Sequence, residues 1–258
     1  MGLADQYASS LFPTPINNTN IRNRSLTPLE AISLSSALHT DCVDSYYSAW
    51  VTFVDALHGI HKKLFSWATV KLYYSTFYAL RSSLAVDHYC IFHVNRTQCY
   101  IEATSGSNPT ISTDSGTHKT VLRSFQRVNS GHPLCSQTID LLTPFDWLVE
   151  KREAANYRAA RFSDPTPAQH LRFAATTGLR KALNAYINDT THLHTFDPDH
   201  AIISFPLQAL RSTGQQLIAA GLATPPSEQE QSLILSAARD GAGQLTPLIQ
   251  ELKKLKVL

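Results

Sequence analysis

Residues 66–86 read SWATVKLYYSTFYALRSSLAV and predict a helix with an unusually broad apolar face. The large side chains recur three and four positions apart, which places them on one side of a helix: Trp67, Val70, Tyr73, Tyr74, Phe77 and Leu80. A face this broad is typical of a helix that packs between neighbours, so we expect core packing for Tyr74 and Phe77. Lys71 and Arg81 interleave with the aromatic residues, as in grooves that bind single-stranded nucleic acid, and are candidate ligand-binding residues.

Helix signals also dominate the sequence upstream of this stretch. Thr27, Pro28 and Glu30 form a helix start, with a capping hydroxyl, a proline in the first turn and a glutamate at its third position. Residues 43–62 then predict a long helix with one buried stripe, formed by Tyr46, Trp50, Phe53, Val54 and Leu57. Residues 1–25 are polar, with the run NNTNIRNRS, and predict an extended arm.

After residue 86 the spacing of the apolar side chains changes from a helical pattern to alternation. Residues 90–94 and 98–103 carry alternating β-branched and aromatic side chains around Asn95-Arg96-Thr97, which predicts a small β-hairpin. A polar loop is expected at 105–116 and a short helix at 118–128. Cys90 and Cys99 flank the hairpin and either face each other or stay reduced. Because no CxxC spacing occurs, we expect reduced thiols at all four cysteines: Cys42, Cys90, Cys99 and Cys135.

Two more helix starts follow. Thr143-Pro144-Phe145-Asp146 predicts a helix to about residue 161, and Thr166-Pro167-Ala168-Gln169 predicts one to about residue 188. The second helix has an apolar face that we expect to point inward: Leu171, Ala174, Leu179, Leu183 and Tyr186. Residues 201–205, AIISF, predict one short strand. Three short helices are expected beyond it, at about 206–220, 227–239 and 244–256.

Composition excludes several classes of protein. A chain of 258 residues forms one large domain or two modest ones, and a net charge of +2 is too small to favour strong non-specific binding of nucleic acid. Any basic surface must therefore be local. No apolar run approaches the ~20 residues that span a bilayer, and the N-terminus lacks signal-peptide and myristoylation patterns, so we expect a cytoplasmic protein without membrane partners. Motifs for nucleotide hydrolysis or a hydrolase triad are lacking, and no cofactor is expected.

A family resemblance rests on two short motifs. Residues 73–81, YYSTFYALR, and residues 152–157, REAANY, resemble the YYxxFYAxR helix and the later R-x-x-A-[DN]-Y segment of the HEPN superfamily. The similarity covers roughly residues 40–188. It implies an all-α fold, in which a HEPN-like bundle at 27–188 follows an N-terminal arm at 1–26. The bundle would carry one small β-hairpin insertion, and residues 189–258 would form a helical C-terminal extension.

The resemblance also implies a function. HEPN-like proteins belong to prokaryotic anti-phage defence and toxin–antitoxin systems, and act as homodimers or in hetero-complexes with another defence-system protein. Catalytic members are metal-independent ribonucleases, whose arginine neutralises phosphate and whose histidine moves the proton of a ribose hydroxyl. This chain departs from that pattern, because no histidine follows Arg152 within seven residues. The spacing R-x4-6-H occurs elsewhere, at Arg81–His88 and Arg127–His132, no more often than chance allows.

The segment REAANYR supplies the main candidate site. Arg152, Asn156 and Tyr157 are the candidate catalytic residues, and Arg158 is a candidate ligand-binding residue. Together they offer a charge for phosphate, an amide for hydrogen bonds and a ring for stacking. The alternative is structural: Arg152 pairs with Glu153 or Asp146, while Tyr157 packs inside the bundle.

Two weaker candidates remain. His118 and Lys119 open a predicted helix, where N–H groups attract anions; a solvated helix start without ligand is the alternative we favour. A second cluster invites a metal interpretation, but its spacing fits a surface loop better and no metal is expected: His192, His194, Asp197, Asp199 and His200.

Three functions therefore stay open. The chain binds RNA or another phosphate-bearing ligand, or it is an active metal-independent ribonuclease, or it is a purely structural interaction subunit of a larger complex. The third would show an exposed apolar strip on the C-terminal helices, formed by Leu245, Leu248, Ile249, Leu252 and Leu255.

Overall fold

Three helices dominate the first third of the chain. A computed structural model describes residues 2–12, 21, 23–114, 116–158 and 160–258, and these are mostly helical with a small antiparallel sheet. Helix α1 spans Leu3–Leu11, α2 spans Pro28–His61 and α3 spans Phe65–Val86. The predicted start of α2 is confirmed, because the Glu30 carboxylate accepts from the Thr27 N–H at 2.8 Å and the Thr27 hydroxyl accepts from the Glu30 N–H at 3.3 Å. The helix predicted at 43–62 is thus the second half of one longer helix.

The extended arm expected at 1–25 is wrong where the structure describes it, because α1 occupies most of residues 2–12. Its first turn is held by a residue distant in sequence: the Asp41 carboxylate accepts from the N–H groups of Leu3 at 2.8 Å and Ala4 at 3.0 Å. A carboxylate at a helix N-terminus satisfies free N–H groups and favours the helix dipole. Most of the run NNTNIRNRS lies outside the described residues.

The predicted hairpin is confirmed. Strands β1 (Tyr89–Val94) and β2 (Thr97–Glu102) pair antiparallel, and the polar loop beyond them contributes a short third strand, β3 (Thr110–Ile111), which pairs with β2. Cys90 lies opposite Ile101, and Cys99 lies opposite Phe92, so the two cysteines are not cross-strand partners. All four cysteines of the chain are free thiols.

The remaining elements are helical apart from one two-stranded hairpin. In chain order they are α4 (Thr117–Val128), a 3-10 turn (Pro133–Cys135), α5 (Pro144–Glu153), a π-helical turn (Ala154–Arg158), α6 (Gln169–Thr177), α7 (Leu179–Ile187), α8 (Ala201–Ala219), α9 (Glu228–Ala237), β4 (Arg239–Asp240), β5 (Gly243–Gln244) and α10 (Thr246–Lys254). None of the described helices combines the length and the apolar character that a membrane span requires.

Three predicted elements in this half are wrong. The helix expected to reach residue 161 leaves α geometry after Glu153, at the π-helical turn. The helix expected at 166–188 is two helices, because Gly178 has a φ of 91°, a left-handed conformation that ends α6 and begins α7. Residues 201–205, expected as a strand, form the first turns of α8, where they are buried on every side. A short run that is apolar all round does not distinguish a buried helix from a strand.

The chain forms two compact units. The first comprises residues 1–45 and 80–130, and the second comprises residues 46–79 and 131–258. The largest buried side chains of the second unit are aromatic: Trp50, Phe53, Tyr73, Phe145, Trp147, Tyr186 and Phe205. They include much of the stripe predicted for the first long helix. The predicted boundaries at residues 26 and 188 stay a prediction.

The apolar strip of the C-terminal helix belongs to the core of the second unit. Its four leucines are at most 4% exposed: Leu245, Leu248, Leu252 and Leu255. Ile249 is half-buried. The strip therefore lacks the exposure that would mark a docking surface for another protein.

Gly214 of α8 provides a test of this core. A β-carbon added there would overlap the hydroxyl oxygen of Tyr46 and lie 3.0 Å from Leu255 Cδ2. We expect Gly214→Ala to lower the free energy of unfolding by about 1–3 kcal/mol in urea denaturation, although alanine normally favours a helix. Tyr46→Phe in the same chain should restore part of this loss, because it removes the overlapping oxygen.

Gly59 of α2 is the matched control, since a β-carbon there would meet Ala68 Cβ at an ordinary 3.6 Å. Gly59→Ala should be neutral or stabilise the fold by up to about 1 kcal/mol. Equal effects of the two substitutions would contradict the packing described for Gly214.

Candidate functional site

The end of α5 carries the segment REAANYR. The helix starts at Thr143, whose hydroxyl accepts from the Asp146 N–H at 3.1 Å and donates to the Asp146 carboxylate at 2.7 Å. Trp147 is fully buried and donates its indole N–H to Asp140 at 2.9 Å. These contacts fix the helix at one end, and the π-helical turn follows at the other. Single π-helical turns are rare and frequently mark functional sites.

Arg152 has a structural environment. Its guanidinium carbon lies 4.7 Å from the centre of the Tyr73 ring, and its Nη2 lies 3.4 Å from the Glu153 carboxylate. The side chain is only 16% exposed. Burial raises the pKa of Tyr73 to about 12, and the nearby Arg152 charge acts in the opposite direction. A partly desolvated cation over an aromatic ring stabilises packing. The distance between Arg152 and Glu153 confirms their predicted pairing.

Tyr157 and Arg158 project from the π-helical turn into solvent. Tyr157 is 73% exposed, so the alternative in which it packs inside the bundle is wrong. The Arg158 side chain is 62% exposed, and its ion pair with Glu153 is long, at 3.9 Å. Asn156 is half-buried in the same turn. A ring and a weakly paired guanidinium side by side can stack on a base and neutralise a phosphate.

A cavity of about 170 Å³ opens beside this turn, within the second unit. Its walls come from the first turns of α3, the end of α5, the π-helical turn and the loop before α6. The lining residues are Phe65, Ser66, Thr69, Lys151, Ala154, Ala155, Arg161, Phe162, Ser163, Ala168 and His170. Ligand pockets of this type are mainly apolar with a few polar groups that orient the ligand.

The cations of the cavity differ in how far they are neutralised. Arg161 is exposed and has no ion-pair partner among the described residues. Lys151 lies 3.3 Å from the Glu150 carboxylate and 4.9 Å from the centre of the Trp147 ring, so its charge is partly satisfied. Arg161 is thus the cation best placed to meet an incoming anion.

Two aromatic side chains near the cavity are unusually exposed. Trp67 is 49% exposed and Phe162 is 42% exposed, and their rings meet edge to face at 6.0 Å. Trp67 was expected on the buried face of α3, so this expectation is wrong; Phe77 is buried as expected, and Tyr74 is half-buried. Exposed aromatic rings beside cations are typical of surfaces that bind single-stranded nucleic acid.

His170 is a neutral group in the cavity wall. The Thr69 hydroxyl donates to the Phe65 carbonyl at 3.0 Å, so its oxygen accepts from Nε2 of His170, also at 3.0 Å. The ring therefore carries its proton on Nε2 and keeps a lone pair on Nδ1. Removal from water, with a smaller contribution from Lys151, lowers the pKa of His170 to about 4.

The other candidate residues have different surroundings. Lys71, in the second unit, forms an ion pair with Asp55 at 2.6 Å. Arg81, in the first unit, lines a cavity of only about 20 Å³ together with Asp5 and Asp41, room for one water molecule. His118 is half-buried and Lys119 is exposed in the first turn of α4. Among the eight candidate residues, Arg152 packs against Tyr73, whereas Tyr157 and Arg158 face solvent from the next turn. The functional roles of all eight stay predictions.

The histidine-rich segment at 192–200 is an ordered loop. The Asp189 carboxylate accepts from the N–H groups of Leu193 at 3.1 Å and His194 at 2.7 Å, and the rings of His194 and His200 lie 4.6 Å apart. Burial lowers the pKa of His200. Within the described residues, no group of three or more histidine, cysteine, aspartate or glutamate side chains has the arrangement that a metal ion needs.

Several residues of the cavity had no sequence signal. Lys151 and Arg161 flank REAANYR and follow no motif, while His170 reads as an ordinary residue of an amphipathic helix. The loop that carries Arg161 is joined to α3 by the Asp164 carboxylate, which accepts from the Ser66 N–H at 3.2 Å and from the Ser66 hydroxyl. This long-range contact has no local pattern.

Comparisons with known proteins add no family to these observations. No protein-family model matches the chain, and neither a curated protein nor a solved structure matches it.

The contact between Arg152 and Tyr73 predicts that Arg152 contributes more to the stability of the fold than Arg158 does. We expect Arg152→Ala to lower the free energy of unfolding by about 1–2 kcal/mol, because it removes a partly desolvated cation–ring contact. Arg158→Ala should change it by less than about 0.5 kcal/mol, since that side chain is largely exposed. Urea denaturation of both variants measures the difference, and equal losses would contradict the structural role of Arg152.

The lowered pKa of His170 predicts a pH dependence of stability. The unfolded state takes up a proton near pH 6.5 and the folded state only near pH 4. The contribution of the neutral ring is therefore fully present above about pH 6.5 and is lost as the pH falls toward 4. We expect the difference in unfolding free energy between wild type and His170→Asn to shrink by up to about 2 kcal/mol from pH 7.5 to pH 5.0. A difference that stays constant between the two pH values would contradict this.

Proposed function

We propose that this protein is a HEPN-like, RNA-binding component of a prokaryotic anti-phage defence or toxin–antitoxin system. In this proposal it acts in the cytoplasm, as a homodimer or in a hetero-complex with another protein of its system. The link with such systems rests on the resemblance of the two helix motifs. The RNA-binding role rests on one observation: Tyr157 and Arg158 are exposed on the same turn whose alanines line a cavity together with Arg161.

The chemistry of this surface suits single-stranded RNA. Segment 150–164 holds four cations and three carboxylates, so its net charge is small. One of these carboxylates, Asp164, is engaged by Ser66, and Arg158 and Arg161 remain largely available for phosphate. Tyr157, Trp67 and Phe162 offer rings on which unpaired bases stack. Paired bases are not accessible to such rings, so this surface suits single strands better than duplexes.

Binding without cleavage is favoured by the state of His170. A general base or acid works best when its pKa lies near the operating pH. With a pKa of about 4, His170 is a weak base at neutral pH, and its neutral ring is not the imidazolium that could protonate a leaving group. Arg152, the arginine of the family motif, is engaged with Tyr73 and Glu153.

The alternative of a metal-independent ribonuclease is supported by one fact. His170 supplies a histidine at the cavity of the REAANYR segment, where the sequence motif has none. Incubation of wild type and His170→Asn with mixed RNA in EDTA separates the two functions. Cleavage by wild type alone would establish the ribonuclease, whereas intact RNA in both samples agrees with binding only.

If RNA binds at this surface, loss of the Tyr157 ring and loss of the Arg158 charge should have different effects on the salt dependence of binding. Tyr157→Ala should weaken binding of a single-stranded RNA by about 1–3 kcal/mol and leave the salt dependence unchanged, because stacking involves no counterions. Arg158→Ala should weaken binding and lower the slope of log K against log salt by about 0.7, the contribution of one phosphate contact on a single strand. Fluorescence anisotropy at several salt concentrations measures both quantities.

The exposed Arg239 of β4 provides the matched control. Arg239→Ala removes the same charge from the same unit and should leave both affinity and slope unchanged. Wild-type protein that binds no RNA, or an equal effect of Arg239→Ala and Arg158→Ala, would overturn the proposed site.

A further inference from the structure

We propose that the cavity beside the π-helical turn takes up one unpaired nucleobase of the bound RNA, with its phosphate at Arg161. This inference rests on the proposed function and names the group that enters its site. The cavity is then a pocket for a single ring system, distinct from the stacking surface that Tyr157 offers outside.

The size of the cavity fits part of a nucleotide. Pockets that enclose complete drug-sized ligands measure about 300–1,000 Å³, whereas this one measures about 170 Å³. It is large enough for a flat heterocycle and too small for base, ribose and phosphate together. The rest of the nucleotide has to remain at the mouth, where Arg161 is exposed.

The walls of the cavity fit a flat apolar ring. Phe65 is buried and Phe162 is partly exposed, so one aromatic ring lies inside and one near solvent. Ala154, Ala155 and Ala168 of the lining have methyl side chains. Of the two cations in the lining, Lys151 lies near Glu150 and Arg161 is exposed. The phosphate of a nucleotide is therefore best placed at Arg161, and the apolar faces of its base fit against the apolar walls.

The hydroxyl groups of the cavity are already engaged. The Ser66 hydroxyl donates to Asp164, the Thr69 hydroxyl donates to the Phe65 carbonyl, and the Ser163 hydroxyl donates to the Thr166 carbonyl. Their protons are therefore not available to a ligand. Few polar groups of the cavity therefore remain that could distinguish one ligand from another.

His170 provides the selecting group. Its Nε2 proton is engaged by Thr69, and its Nδ1 has no hydrogen-bond partner among the described residues. A neutral Nδ1 accepts a hydrogen bond, so it favours a ligand that presents an N–H group. Each RNA base carries an N–H group on its pairing edge, in adenine the amino group, and this group is free to donate when the base is unpaired. The charge-free acceptor thus complements an unpaired base and repels a phosphate.

The test compares 5′-AMP with ribose 5-phosphate, which keeps the phosphate and lacks the base. Isothermal titration of the full chain should show 5′-AMP binding about ten-fold or more tightly, the effect of one buried base. Ala155→Phe fills the cavity and should abolish this preference; Ala168→Leu should reduce it from the opposite wall. Ala219→Phe, an exposed position of α8, is the matched control and should keep the preference. Circular dichroism verifies that each variant is folded.

Two results would overturn the proposal. One is equal affinity of wild type for both compounds, including no binding of either. The other is a preference for 5′-AMP that survives in both folded, cavity-filled variants.

The RNA-binding role fails in a different way. If single-stranded RNA binds wild type and Ala155→Phe equally while Arg158→Ala weakens it, the base pocket is wrong and the proposed function stands. If RNA does not bind at all but 5′-AMP shows the expected preference, the pocket stands and the RNA-binding function is wrong.

Discussion

The contact between the Asp164 carboxylate and Ser66 is the constraint on which the candidate site depends. It joins the loop after the π-helical turn to the first turn of α3, residues 98 positions apart. Phe162, Ser163 and Ala168 belong to that loop, and Phe65 and Thr69 belong to that turn of helix. A charge-assisted hydrogen bond to a helix N-terminus satisfies a free N–H group and favours the helix dipole. The Thr69–His170 hydrogen bond and the contact of the Trp67 and Phe162 rings join the same two walls.

The charges of this protein act locally. A net charge of +2 gives no general attraction to nucleic acid, and several described cations are paired with carboxylates. Arg152 and Lys151 are used inside the fold, while Arg158 and Arg161 face outward from the same segment. Arg158 and Arg161 therefore leave a small basic surface on this segment, beside exposed aromatic rings.

The sequence predicted the parts of the fold that have local causes. Caps at Thr27 and Thr143, the apolar stripe of α2 and the β1–β2 hairpin follow from spacing and turn chemistry, and all are confirmed. The apolar face of α3 is confirmed in part, because Tyr73, Phe77 and Leu80 are buried, whereas Trp67 is exposed. The features that depend on contacts between residues far apart in the chain were not predicted. Helix α1 depends on Asp41, and the position of His170 depends on Thr69 and the loop that Asp164 holds. The candidate segment was found from its residue types. The exposure of Tyr157 belongs to the π-helical turn, whereas Arg152 precedes that turn and is buried against Tyr73.

The π-helical turn also sets the direction in which Tyr157 and Arg158 point. A π-helical turn spaces its hydrogen bonds five residues apart, so it accommodates one residue more than an α-helical turn between the same two ends. Each residue advances an α-helix by about 100°. Loss of a single residue from Ala154–Arg158 would let α5 continue regularly and would rotate Tyr157 and Arg158 by about that angle. The orientation of this surface is therefore encoded by the length of the segment as much as by its composition, and insertions or deletions of one residue are the changes through which it is most readily gained or lost.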